Sequence, residues 1–493
     1  MSKITHTEIR MYRMGTGDCF VLKFFAGAAL KFKMLIDCGT WSGSTAHLTP
    51  YIQNLKAYVD NHVDLLVVTH EHKDHVHVFD ACENLFTQGF TIDKVWMGWT
   101  EKDTATKVKQ WQKDYGQQKI ALFHAARELK AAVNDPAYAA QLQHEANGFG
   151  ILKSRKNFAA TLEALTDLQV NTGGGAFAAY AGLLAGMEVV KKKLGPNKID
   201  YFGPGDIIAN LPQLPGIKFY VLGPPLSWED VKKEAGGDGE SYDHNKDISL
   251  SAAFAAAVLD QAPGGGNGAA PFDTSYDRDP APASNPIQQA YAAPGNEWRK
   301  IDHDWLLGAG SLALRINSMT NNLSLALAIE FEGGRVMLFP GDAEYGSWAS
   351  WHKINWTEPS RTPGKHLTED LLNRTVFYKV AHHLSHNGTA QRLGLEMMKD
   401  PDLAAMATLD YSVISNGWTT TMPNRAILAE LLTRTKGRLM VMNEKELFFD
   451  KQNTIPLGDR IRSARSQMSK KLKKDFTRDY VEDPLYLQYT VRG

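Results

Sequence analysis

The sequence predicts an α/β fold carrying a helical insertion and a long loop-rich insertion, and three observations support that. Short β-rich runs joined by tight turns fill the first hundred residues and return after residue 197. One of them, Val63–Thr69 (VDLLVVT), is almost continuously apolar, as a strand buried on both faces requires. Between the two strand-rich regions lies a stretch rich in Ala, Lys, Gln and Glu at helical spacing.

In chain order, Ile9–Met14, Cys19–Phe25 and Phe32–Ile36 are β-rich, separated by Gly15-Thr16-Gly17-Asp18 and by the Gly27 region. Residues 101–195 are assigned to a helical insertion on segments such as LFHAARELKAAV and FAATLEALTDL. Strand character resumes at Ile199–Tyr201, Asp206–Ile208 and Ile217–Leu222. A second insertion, 226–308, combines a helical stretch near Ser249–Leu259 with QAPGGGNGAAPFDTSYDRDPAPASNP, which is irregular by composition. Strands are then expected at Ser324–Phe331, Val336–Phe339, Thr375–Ala381 and Tyr411–Ile414. A helix at Arg425–Arg434 and short strands at Arg438–Met442 and Leu447–Phe449 close the order. Residues 1–450 are therefore the expected core, and 451–493 a basic C-terminal tail.

Composition excludes several classes. Lys+Arg 54 against Asp+Glu 55 gives no whole-chain attraction for nucleic acid or an anionic membrane, so such binding needs a local patch. Cys19, Cys38 and Cys82 form no CxxC pair and cannot build a disulfide framework. The N-terminal MSKITHTEIRMYRMGTGDCF has charges where a signal peptide has its apolar stretch. No run of about 18 apolar residues suggests a membrane span. The expectation is a cytoplasmic protein with no membrane partner.

The chemistry lies in VVTHEHKDHVH, which places His70, His72, Asp74, His75 and His77 directly after the buried strand. Residues two apart in an extended segment point the same way, so His70 and His72 can converge on one ion. A helix starting at Lys73 or Asp74 puts Asp74 and His75 on its first turn, beside the same cavity. Imidazole and carboxylate donors suit Zn²⁺, Mn²⁺ or Fe. The alternative is a surface His-rich loop.

THEHKDH after an apolar strand resembles the signature of the metallo-β-lactamase-fold hydrolases. MGTGDCFVLKF, MLIDCGT, YVLGPP, NNLSLALAIEF, MLFPGDAE, KVAHHLSHNGT and SVISNG follow one another in an order that resembles the metallohydrolase domain of ComEC-type DNA-uptake proteins and their soluble relatives. The resemblance covers most of residues 4–100 and 197–450, outside 224–310. It implies a four-layer αββα sandwich with two divalent metal ions at one edge, Zn²⁺ first, Mn²⁺ or Fe as alternatives. It further implies His70 and His72 on one ion, Asp74 and His75 on the other, Asp342 between them and His383 as the last ligand. His382 would then face the substrate as an imidazolium able to donate a proton, with the reverse assignment of the two histidines left open. Asp74, His382 and His386 are the expected catalytic residues. Asp18 and Asp37 are expected to orient histidines, or else to form simple turns at strand ends. Asn321, Asn322 and Ser324 lie near the site in this reading, and a turn leading into a strand explains them equally.

The chain departs from the family pattern in four places. The strand ending at Leu222-Gly223-Pro224-Pro225 carries no His ligand, which leaves the first ion an open or water-filled position, or one that His244 or His303 could take, although nothing in the spacing requires it. Val76-His77 replaces a small Gly, and His77 is either an extra polar group or a surface residue. The pattern HHGS reads HHLS, with Leu384 in place of Gly and His386 nearby. Met422-Pro423 stands where the subgroup has His-Pro. Weaker signals are Gly173-Gly174-Gly175 as a helix-start loop and the basic run holding Arg465, Lys470, Lys471, Lys473 and Lys474. That run is either a polyanion-binding surface, with Tyr480, Tyr486 and Tyr489 stacking on bases, or a solvated helix face.

These readings lead to a metal-dependent hydrolase, first a phosphodiesterase or nuclease using a metal-bound hydroxide on a nucleic acid or nucleotide. The alternatives are a carboxyl-ester, thioester or lactam hydrolase, and a partner-activated effector or sensor subunit of a multi-protein bacterial system that binds a protein through the helical insertion.

Overall fold

Runs of alternating apolar residues assemble two mixed sheets in the computed structural model, which describes residues 3–41, 43–102, 185–233, 235–237, 239–242, 317–412, 422–446 and 457–493 with a few single positions between. The strands are β1 (His6–Tyr12), β2 (Phe20–Ala26), β3 (Ala29–Ile36), β4 (His62–Val67), β5 (Thr91–Gly98), β6 (Ile199–Phe202), β7 (Ile207–Ile208) and β8 (Ile217–Val221). They continue as β9 (Leu327–Phe331), β10 (Val336–Phe339), β11 (Thr375–Lys379), β12 (Ala404–Ala407), β13 (Leu439–Val441), β14 (Tyr480–Glu482) and β15 (Tyr486–Arg492). One sheet has the order β14-β15-β1-β2-β3-β4-β5-β6, the other β13-β12-β11-β10-β9-β8-β7. Strands β3 to β6 and β10 to β13 pair in parallel, so crossover connections, several of them helical, return the chain between them.

Those helices are α1 (Thr45–Tyr58), α2 (Lys73–Ala81), α3 (Glu83–Thr87) and α4 (Ala185–Glu188), which continues as a π-helical turn over Val189–Leu194. The second half adds α5 (Trp228–Val231), α6 (Tyr345–Trp351), α7 (Leu367–Asn373), α8 (Arg425–Thr435), α9 (Leu457–Ser466) and α10 (Lys470–Asp479).

The period-two pattern decides which face each side chain joins. In β10, Met337 and Phe339 enter a core shared with Phe20, Leu22 and Phe24 of the first sheet, so the two sheets pack face to face. Val336 and Leu338 point the other way, toward Trp348, Leu371 and Leu428 of the helices. Val21 and Leu35 of the first sheet likewise join Leu48, Ile52 and Phe79 of α1 and α2. The helices thus cover the outer faces and leave the strand ends accessible to loops. Phe339 is 2% exposed, with ring centroids 5.9 Å from Phe20 and 5.5 Å from Phe377. Phe339→Ala is expected to cost about 3–5 kcal/mol, read as a lower denaturant midpoint with an unchanged slope.

Several expectations need correction. The opening region is not strands and turns alone, because Thr45–Tyr58 is a helix whose Ser44 hydroxyl accepts from the His47 N–H (3.3 Å). Tyr411 and Ser412 lie in a turn, and the strand falls instead at Ala404–Ala407. That strand, AAMA, has no β-branched residue and holds its place by burial between β11 and β13. Residues 451–493 are not simply a tail: β15 pairs with β1 from His6↔Arg492 to Tyr12↔Tyr486, so the C-terminus closes the core sheet. Among the described residues no helix is long and apolar enough to cross a membrane. The segments LFHAARELKAAV and FAATLEALTDL, Gly173-Gly174-Gly175, Ser249–Leu259, the glycine-rich run, Leu447–Phe449, His244 and His303 lie outside the described residues.

Candidate metal centre

The ends of five strands deliver one buried group. Asp37 follows β3, and Thr69 and His70 follow β4. His72 is extended (φ −62°, ψ 148°) and leads into α2, which carries Asp74 and His75 on its first turn. Asp342 follows β10, Lys379 ends β11 with His382 and His383 just beyond, and Thr408 follows β12. The loop between β1 and β2 adds Asp18. Convergence of parallel strand ends on one crevice is where open α/β sheets place their ligands. The backbone there is strained: Asp37 has φ 54°, and His382, His383 and Leu384 have φ 47°, 50° and 66°. Each left-handed non-glycine residue costs about 1–2 kcal/mol, and such outliers concentrate at functional sites. Leu384 therefore adopts, under strain, the conformation that the Gly of HHGS would take freely.

Asp74, His75, Asp342 and His383 offer four ligand atoms that all lie within 4.8 Å of one another, and all four residues are buried. His383 Nε2 stands 2.8 Å from Asp74 Oδ2 and 3.0 Å from Asp342 Oδ2. His75 Nε2 stands 3.1 Å from Asp342 Oδ2, and both of these buried atoms lack a hydrogen-bond partner. Buried polar atoms are almost always paired, so two such atoms facing one another are compatible with a cation between them. The donor set, two imidazole nitrogens and two carboxylates, fits Zn²⁺, Mn²⁺ or Fe.

Neighbours fix the aim of each donor. Asp37 takes His75 Nδ1 (2.8 Å), the Thr69 N–H (2.8 Å) and the Thr69 hydroxyl (2.7 Å), so the bare nitrogen of His75 is Nε2. His383 Nδ1 meets the Thr408 hydroxyl (2.7 Å), which donates to Asp18 Oδ1 (2.7 Å), and this aims Nε2 of His383 into the group. Asp37 thus holds His75 directly, and Asp18 holds His383 through Thr408. The Trp41 indole N–H donates to Asp74 Oδ2 (2.8 Å). Lys379, 1% exposed, lies between Asp18 and Asp342.

The electrostatics point the same way. Burial opposes charge on His75, but Asp342, Asp74, Asp37 and Asp18 outweigh it and raise its pKa well above the usual value. His383 is raised to about 9 against burial by Asp342 and Asp74. Burial likewise opposes ionisation of Asp74 and Asp342, yet His75 and His383 hold Asp74 low, and His383, Lys379 and His75 hold Asp342 low. The pocket stabilises positive charge.

Other expected residues take different places. His70 and His72 form a neighbouring pair, Nε2 to Nδ1 3.1 Å, outside the four-residue group, with His70 Nδ1 near the Ser324 hydroxyl (3.2 Å). Burial, then His75 and His72, lowers the His70 pKa. His382 does not join the group: Nδ1 meets Asn387 Oδ1 (3.1 Å) and Glu344 Oε1 (3.3 Å), and Nε2 meets Asn321 Nδ2 (3.3 Å). Burial lowers its pKa to about 3, which favours a neutral ring over the expected imidazolium. Asn322 is also corrected. Its amide donates to Val231 O (3.1 Å) and accepts from the Glu344 and Ser347 N–H groups (3.2 and 3.0 Å), tying α5 to α6 rather than touching a histidine. His386 is only partly buried and its Nδ1 approaches the Ser385 hydroxyl (3.3 Å). His77 is hydrogen-bonded to the Gly43 backbone.

In the basic C-terminal run, Arg465 is structural. Its guanidinium donates to Glu444 (2.9 Å) and Leu439 O (2.7 Å) and lies over the Phe476 and Tyr480 rings. Tyr480 stacks on Phe476, Tyr486 meets Tyr12 edge-on, and Tyr489 is buried between the sheets. Lys470, Lys471, Lys473 and Lys474 are exposed on α10.

Sequence reasoning missed Lys379, Thr408, Trp41 and Glu344. Lys379 had a readable signal, a lone charge in the apolar run TVFYKVA; Thr408 had none. No protein-family model and no curated protein matches the chain.

Proposed function

We propose that the chain is a metal-dependent phosphodiesterase of the metallo-β-lactamase type, similar to the ComEC-type metallohydrolase domain, with its two sheets and outer helices as the four-layer αββα sandwich. The observation that carries the reading is the pair of orphaned, facing atoms His75 Nε2 and Asp342 Oδ2 inside a four-donor group. Asp74, His75, His383 and Asp342 would hold one divalent ion, and His70 and His72, with Asp342, a second. When bound, such ions acidify water and polarise a phosphoryl oxygen. The chain's own residues orient that chemistry: Asp37 and the Thr408–Asp18 relay hold Nδ1 of His75 and His383, and Trp41 holds Asp74. We assign proton delivery to the leaving oxygen to His386, since both ring nitrogens of His382 are engaged in the Glu344–Asn321–Asn387 network. The exposed lysines of α10 are the surface on which an extended polyanion would lie.

Incubation with a panel of DNA, RNA, cyclic nucleotides and a model phosphodiester, with Zn²⁺, Mn²⁺ or Fe²⁺, tests the reading. Cleavage of at least one phosphodiester is expected; hydrolysis of esters or lactams alone would replace it with the carbonyl-substrate alternative.

Two further outcomes follow from the geometry. Among the described residues, the end of β8, Leu222-Gly223-Pro224, brings no further histidine to the His70–His72 pair. Dialysis is therefore expected to leave close to one ion per chain, with a second taken up only at higher free metal, as read by elemental analysis. Asp37→Asn should lower metal affinity about 10–100-fold, because His75 loses the carboxylate that holds its Nδ1–H. Equal affinity of the two proteins in a chelator competition would contradict that role.

A further inference from the structure

We propose that Lys379 sets which metal ion the centre prefers, by holding Asp342 so that one carboxylate oxygen, not two, faces the ion. This rests on the metal-centre reading above. The ammonium has three donors and finds three acceptors: Gly341 O (2.9 Å), Asp342 Oδ1 (2.8 Å) and Asp18 Oδ2 (2.5 Å). Asp342 Oδ1 also accepts the His382 N–H (3.1 Å). One oxygen of Asp342 is thus occupied twice from the protein side, while Oδ2 is left without a hydrogen bond and faces His75 and His383.

The lysine is itself anchored. Asp18 takes the Thr408 hydroxyl on its other oxygen (2.7 Å), and its N–H donates to Asp74 O (2.8 Å). Rotating Asp342 to present both oxygens would therefore strip the ammonium of an acceptor in a site where nothing replaces it, since Lys379 is buried. A carboxylate held to one oxygen, beside two imidazoles, suits a small ion content with four ligands, which favours Zn²⁺. A carboxylate free to chelate suits ions that take more oxygen ligands, such as Mn²⁺.

Removing the lysine's charge has a second effect, which the test must separate. It makes the pocket more attractive to any divalent cation, and that attraction is common to Zn²⁺ and Mn²⁺, so it cancels in their affinity ratio. A lysine that merely neutralises two buried carboxylates would change stability and absolute affinities but leave the ratio alone. The experiment is competition dialysis of the full chain against chelators of known strength, giving the Zn²⁺/Mn²⁺ affinity ratio for the wild type, Lys379→Met and Asp18→Asn. Lys379→Met is expected to lower the ratio about tenfold or more, and Asp18→Asn, which removes one anchor of the ammonium, to lower it by less. Folding is followed by circular dichroism in chelator. A ratio within about twofold of the wild type, in either variant that folds and binds metal, overturns the assignment. Wild-type protein that binds neither ion overturns the metal-centre reading itself, and does so before any variant is compared.

Discussion

Asp342→Asn is expected to lower phosphodiester turnover by about 10³-fold or more while the chain still folds. The substitution keeps the shape of the side chain and removes its charge at the point where four contacts meet. Oδ2 is the orphan between His75 and His383, and Oδ1 anchors Lys379 and the His382 N–H. An amide can satisfy Lys379 through its oxygen, but its NH₂ then faces the two imidazole nitrogens and repels a cation. Circular dichroism and the denaturant midpoint separate this from unfolding, and activity within tenfold of the wild type would remove Asp342 from the chemistry.

Stripping metal should destabilise the protein by an amount set by mass action, about 4 kcal/mol where free ion stands at a thousand times its dissociation constant. The reason lies in the charge count of the pocket. Asp18, Asp37, Asp74 and Asp342 are four buried carboxylates facing one buried ammonium, Lys379. Without a divalent ion, the imidazoles of His75 and His383 must carry the compensating charge, and burial opposes it on both. The expected result is a clear fall in thermal midpoint on adding chelator, reversed by Zn²⁺ and nearly absent in Asp342→Asn. A midpoint indifferent to chelator would show that no ion is bound by the folded state under those conditions.

Much of the fold was readable because alternation and burial coincide. The runs Cys19–Phe25 and Val336–Phe339 alternate between the shared core and the helix-covered faces, and both emerge as strands. Ala404–Ala407 was not readable, because three alanines and one methionine carry no β-branching and owe their conformation to the strands on either side. The C-terminal strand was hidden by the basic run ahead of it, and its pairing with the distant β1 is what joins it to the core sheet. At the site, HxHxDH placed Asp74 and His75 correctly on the first turn of a helix, since local spacing dictates that geometry. Asn322 went astray because one residue of register in a turn decides whether an amide meets Glu344 and Ser347 or, as Asn321 does, His382. Thr408 could be found only in three dimensions, where it joins Asp18 to His383 across nearly the whole chain.

The most direct measurement of the central claim is hydrolysis of a phosphodiester panel by metal-loaded protein, chelated protein and the Asp342→Asn variant, run side by side. The account predicts cleavage by the first alone, restored to the second by adding back Zn²⁺ or Mn²⁺. An intact panel under every metal, or equal cleavage by all three preparations, would contradict it.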